Sequence, residues 1–294
     1  MLLDKMSLLN IKRILVVMNS LLLISTSMLV AATEKGFFWQ ATSPSGQVSY
    51  LFGTMHTDDN RVTDFSAPIL DALKQVDLFV METQPNSNPA NFLLKTGSVK
   101  EMLTEAELDK VSVLADFHVM HMEQALRMKP WLLAVVFSQA KPQTPYAQDN
   151  LLMRAAEDFG KRAQGLETSE EHFGVIDVFN LDDQLMMLRA ALRLSEVQKE
   201  KDFERLIAVY LTEDSDALLT LDADLTGAGL PKALWLRLSA KLLDERNVLM
   251  AERSIALAKQ RAVFIAVGAA HLAGDNGLIA AFKKAGFALK RLNK

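Results

Sequence analysis

Short apolar runs of strand length sit toward the two ends of this 294-residue chain, and the sequence between them is mostly helical in pattern. Phe37 to Thr42 and Gln47 to Phe52 flank Ser43-Pro44-Ser45-Gly46, which reads as a β-hairpin. Leu78 to Met81 has the pattern of a buried strand and is ended by Glu82, Thr83 and Pro85. At the far end Val263 to Val267 is another buried-strand run, and Phe287 to Leu292 reads as a last strand. One more short strand, within KRAQGLET, ends at Glu167. A helix is expected from Ser66, as N-cap with Pro68 in its first turn, to about Gln75. TEAELDKVSVLADF carries a capping box, Thr104 with Glu107. PWLLAVVFSQA is too apolar for a surface helix, and DNLLMRAAEDFG closes at Gly160. From 180 to 260 helix follows helix, with Leu181, Leu185, Leu188 and Leu192 on one face. A last helix should be capped by Asp275 and stopped by Gly286. Strands cannot stand unpaired, so the economical architecture is α/β. It has one central mixed sheet built from N- and C-terminal strands and a largely helical insertion, about residues 100 to 260. Residues 33 to 294 are expected to form a single domain.

The residues before Thr33 differ in kind. Lys5, Lys12 and Arg13 precede an uncharged apolar stretch, Ile14 to Ala32, that ends in Val30-Ala31-Ala32. These are the parts of a secretory signal, residues 1 to 32, cleaved after Ala32. A retained membrane anchor is the other reading, because the stretch is about one bilayer span. Either way the rest of the chain is expected outside the cytoplasm, in the periplasm, touching membrane only through this segment. A net charge of -4 gives no reason to expect nucleic acid as a partner. The absence of cysteine excludes a thiol nucleophile and a Cys-based zinc site.

Two apolar runs end alike: Gly53 is followed three residues later by His56, and Gly268 by His271. With five His and 13 Gly in the chain, about 0.2 such matches are expected by chance, so two point to a site. The geometry is plausible on physical grounds. Catalytic groups in open α/β sheets sit beyond the carboxyl ends of strands. A glycine there lets the chain turn and lets another group approach. Two such strands side by side would aim two imidazoles at one point. With a carboxylate they make a set suited to a catalytic divalent ion, and Glu82, ending a third apolar run, is the best candidate. Glu82 is read either as a ligand or as general base; an ordinary turn carboxylate is the bland alternative.

LFGTMHTDD, VMETQ, GLETSEEHF, DERNVLMAERSIALA and VGAAHLAGDNGL together resemble the TraB/PrgY/GumN family, related to the Tiki-type proteases, over about residues 36 to 292. The resemblance implies an α/β fold shared with erythromycin-esterase-like and ChaN-like proteins. It implies an active centre of Gly53 with His56 and Gly268 with His271, and Glu82 as the acid after the third strand. It also marks Glu167 and Arg246 as motif positions. Tiki-like relatives imply metal-dependent proteolysis with manganese or cobalt, zinc being the other candidate ion. Erythromycin-esterase-like relatives imply a metal-free His base, and ChaN-like ones haem binding.

Other residues are weaker candidates. His118 and His121 are spaced for one face of a helix, with Glu123 nearby, but lack the glutamate of a His-Glu-x-x-His site. His172, after Glu170 and Glu171, reads as solvated. The Met-rich DDQLMMLRAALRL reads as core filling. Arg246 and Arg253 lie seven apart on one helix face; Arg246 is preferred as a group that could hold an oxyanion or a substrate carboxylate. The leading expectation is an exported metal-dependent hydrolase acting on amide bonds of a peptide or other small-molecule substrate. Its catalytic groups are His56, Glu82 and Arg246, and its metal ligands His56, His271 and Glu82. The alternatives are a metal-free esterase-like hydrolase, or a non-enzymatic envelope protein that captures a peptide, haem or a partner.

Overall fold

The computed structural model describes residues 35–84, 88–140 and 146–293. The proposed leader therefore lies outside the described residues. Among those described, no helix is long and apolar enough to cross a membrane.

Six strands form one sheet in the order β4-β3-β5-β2-β1-β6. They are β1 (Phe38–Thr42), β2 (Val48–Thr54), β3 (Leu78–Thr83), β4 (Arg162–Glu167), β5 (Val263–Gly268) and β6 (Ala288–Arg291). The hairpin pairs β1 with β2 antiparallel, and β6 closes the sheet antiparallel to β1. β2 with β5, β5 with β3 and β3 with β4 are parallel. The expected mixed sheet from both termini is thus present, and the helical middle supplies its outer strand, β4. Four parallel strands side by side bring Thr54, Gly268, Thr83 and Glu167 to one edge.

The sheet is covered on both faces, as a parallel sheet requires. Val263, Ile265 and Val267 of β5 pack with Met250 and Ala258 of the helix Arg246–Gln260 and with Phe282 of the helix Leu278–Lys284. Phe264 and Ala266 face the other way, onto Leu73 of the helix Ala67–Gln75 and Leu152 and Ala156 of the helix Gln148–Asp158. A separate apolar core packs Trp131, Leu133 and Phe137 against Leu185, Leu188 and Leu192, and Ile207, Tyr210 and Leu218 of two further helices cluster with Phe37 and Ala269. Leu181 leaves that expected stripe and is 40% exposed, because it is the first residue after the Asn180 cap.

Two local expectations need correction. The helix Glu105–Phe117 has the Thr104 capping box but ends before His118, which is its C-cap. Val119 then turns to a φ of 55°, and His121 caps a separate short turn, so His118 and His121 share no helix face. The last helix is capped at Gly277, without a side-chain bond, rather than at Asp275, because the chain turns through Gly274 first.

Candidate active site

The register of β2 and β5 fixes how the two Gly-x-x-His elements meet. Gly53 lies opposite Val267 and Thr54 opposite Gly268, so the two glycines are one residue out of step. Side chains alternate along a strand, and Gly53 and Gly268 therefore face opposite sides of the sheet. Each glycine makes room for a different neighbour. A Cβ on Gly53 would come 3.1 Å from the Ala269 Cα, inside the other motif. A Cβ on Gly268 would come 3.0 Å from the Glu82 Oε1, to which the Gly268 N–H donates at 2.6 Å.

The two histidines are held in the same manner by helices on opposite faces. His271, in the turn Ala269–His271, is 5% exposed, and its Nδ1 donates to the Asn247 Oδ1 at 2.6 Å. An amide oxygen can only accept, so the Nδ1 carries the proton and the Nε2 keeps its lone pair. That Nε2 lies 3.3 Å from the Arg246 Nη1 and 3.8 Å from the Glu82 Oε1. The His56 Nδ1 is 2.7 Å from the Asp149 Oδ2, and its side chain is 70% exposed. Burial lowers the His271 pKa to about 4, against the pull of Glu82. The Asp149 hydrogen bond raises that of His56.

Beside them His172 joins three residues already marked in the sequence, Glu82, Glu167 and Arg246. Thr168 and Glu171 form a capping box that starts the helix Ser169–Asp177 directly after β4. Its first turn folds His172 back over the strand end, so His172 is not solvated as expected. Its side chain is 21% exposed, and its Nδ1 is 2.9 Å from the Glu167 Oε2. Arg246 enters from across the site, at the start of its helix and straight after a six-residue π-helix, Ala240–Glu245. Such wide turns occur often at functional sites. The Arg246 Nε donates to the Glu167 Oε1 at 3.0 Å and its Nη2 to the Glu167 Oε2 at 2.8 Å, a bidentate pair. The same Nη2 donates to the Glu82 Oε2 and lies 2.9 Å from the His172 Nδ1.

Charge accounts for the ionisation of this group. Burial pushes the Glu82 carboxyl up, but His271, Arg246, His172 and the Gly268 N–H outweigh it and hold it well below the usual carboxylate range. Burial likewise opposes ionisation of Glu167, and the bonds from His172 and Arg246 prevail. Burial disfavours the Arg246 charge, yet the facing Glu82 and Glu167 fix it more firmly than usual. Arg253 sits outside this centre, paired with Glu171 at 2.7 Å.

Glu82, Glu167 and His172 offer one ligand atom each, all within 4.8 Å of one another, so this cluster could hold a metal ion. Glu82 belongs both to it and to the expected set. Its Oε1 is turned toward Gly268 and His271, its Oε2 toward Arg246. His56 reaches the same sheet edge but lies outside that cluster. The signal that could have found His172 is the Thr168-x-x-Glu171 box, which places a helix start one residue after Glu167. For the π-helix no sequence signal is evident.

A sequence model of the TraB/PrgY/gumN family matches residues 37–291. An uncharacterized protein of Treponema pallidum (strain Nichols) is 22% identical over 282 residues, covering 85% of this chain and 81% of the relative.

Proposed function

The chain belongs to the TraB/PrgY/gumN family, and from that footing we propose that it is an exported, metal-dependent hydrolase of amide bonds in a peptide or other small substrate. One observation carries the reading. Both motif histidines are tied at Nδ1 to a helix side chain, Asp149 or Asn247, which turns each Nε2 away from that anchor; the His271 Nε2 meets the Arg246 Nη1 at 3.3 Å, a contact that a bound ion would replace. Such Nδ1 ties are how proteins orient metal-binding imidazoles. His56, His271 and the Oε1 side of Glu82 would hold the ion; two imidazoles and a carboxylate suit manganese, cobalt or zinc. The ion, when bound, would supply Lewis acidity toward water and the scissile carbonyl.

The protein's own groups have distinct tasks in this scheme. Glu82 is kept ionised so firmly that it is a weak proton acceptor, which favours a ligand's role over a base's. One Arg246 Nη1 proton points at the His271 Nε2; with an ion on that nitrogen, the proton would be released toward negative charge developing on the carbonyl oxygen. His56, exposed and paired with Asp149, faces solvent and arriving substrate.

The same His56–Asp149 pair favours a second reading, in which His56 is itself the base and no metal is needed. Metal analysis of the purified chain, followed by peptide hydrolysis with and without chelator, separates the two. The metal scheme expects bound manganese, cobalt or zinc and loss of activity on chelation. Full activity of a verified metal-free preparation would move the assignment to the His56–Asp149 base.

A further inference from the structure

Each residue of the Glu82, Glu167 and His172 cluster presents an atom to one atom of the protein, the Arg246 Nη2: the two Oε2 atoms and the His172 Nδ1. That nitrogen lies where a cation bridging the three would have to lie. We propose that Glu82, Glu167 and His172 are a guanidinium site built around Arg246, which excludes a divalent ion while Arg246 is in place and becomes a cation site once it is removed.

Hydrogen-bond bookkeeping supports the assignment. The Nη2 has two protons and faces three acceptor-capable atoms. One arrangement serves all of them: the His172 Nδ1 donates to the Glu167 Oε2, and the Nη2 protons go to Glu82 and Glu167. The His172 Nδ1 then has no lone pair to offer a metal. The remaining donors are also engaged, the Nε with Glu167 and the Nη1 with the Leu242 carbonyl and the His271 Nε2. The guanidinium is thus anchored at every nitrogen. Glu167 has a side-chain exposure of 1% and Arg246 of 9%, so Glu167 leans on this charge, while Glu82, 20% exposed, also accepts from the Gly268 N–H. Without the guanidinium, the buried Glu167 and the half-buried Glu82, beside an imidazole, favour uptake of protons or of another cation. The consequence for the proposed hydrolase is a division of Glu82. Its Oε2 serves the guanidinium, and its Oε1 alone remains for an ion shared with His271.

The test counts metal rather than activity. Equilibrium dialysis of the full chain against Mn²⁺ or Zn²⁺, read by elemental analysis, would compare wild type with Arg246→Ala and Arg246→Met. The expected result is one more equivalent bound by the Arg246 variants, lost again when Glu167→Gln is added. No additional equivalent would overturn the proposal. His172→Asn in the wild-type background keeps the test open where the Arg246 variants do not fold. Its metal content should equal that of wild type, and a loss would show that the cluster holds metal with Arg246 present. Wild type that binds no metal would defeat the hydrolase reading, while the gain on removing Arg246 would still support this one.

Discussion

His271 lies under the sheet edge, 5% exposed, between Asn247, Arg246 and Glu82, whereas the His56 side chain is 70% exposed and rests on Asp149. Both follow a parallel strand by the same Gly-x-x-His spacing, and the two strands are neighbours. The difference comes from the one-residue offset in register. It turns Gly268 toward Glu82 and Gly53 toward Phe37 and Ala269. Around His271 burial dominates and disfavours the imidazolium. Around His56 the Asp149 carboxylate dominates and favours it. One pattern thus supplies one buried imidazole held neutral and one exposed imidazole poised to take up a proton.

The strongest way to break the contrast is to delete each ring. His271→Ala should abolish metal binding and lower hydrolysis by about 10² to 10⁴, and also cost about 1–3 kcal/mol of stability by leaving Asn247 buried without its partner. His56→Ala should lose metal and activity to a similar degree, yet change stability by no more than about 0.5 kcal/mol, as befits an exposed side chain. Equal destabilisation in denaturant titrations would erase the distinction between the two sites.

Glu82→Gln comes next in size. Metal affinity and turnover should fall together if Glu82 is a ligand. Retained metal with a lost rate would restore its role as base.

The glycines sharpen the comparison further. Gly53→Ala drives a methyl against the Ala269 backbone and the Phe37 ring, and should cost about 1–3 kcal/mol in stability. Gly268→Ala meets the end of the Glu82 side chain, so its main effect should be on metal affinity, measured by dialysis, with a smaller change in stability.

The smallest effect expected is in the pH dependence of the metal-free protein, where the histidines act with opposite sign. His56 has a raised folded pKa, so its contribution is fully present below the unfolded value of about 6.5 and fades as pH rises through the folded one. His271 stays neutral in the fold down to about pH 4. Unfolding lets it bind a proton between about pH 4 and 6.5, so it costs stability as pH falls through that window. Asp149→Asn should bring the His56 titration down toward its ordinary pKa in NMR and leave that of His271 in place.

Much of this was legible in the sequence. Apolar runs ending in Gly53, Glu82, Glu167 and Gly268 located four strand ends, and their parallel pairing brought them to one edge. Local signals cannot report which face a residue takes, because that depends on register between strands 215 residues apart in the two motifs. Nor does any local pattern reveal the π-helix that precedes Arg246, or that its guanidinium fills the space between Glu82, Glu167 and His172. The glutamates before His172 suggest solvent, whereas Glu171 is spent on the helix cap and on Arg253, and His172 turns inward to Glu167.

In the proposed hydrolase a divalent ion and Arg246 would occupy separate halves of this edge, divided by the two oxygens of Glu82. Anomalous scattering from crystals grown with Mn²⁺ or Zn²⁺ tests it most directly. The expected result is a peak ligated by the Nε2 atoms of His56 and His271 and by Glu82, with Arg246 still paired to Glu167. A peak between Glu82, Glu167 and His172, with the Arg246 side chain displaced, would contradict it.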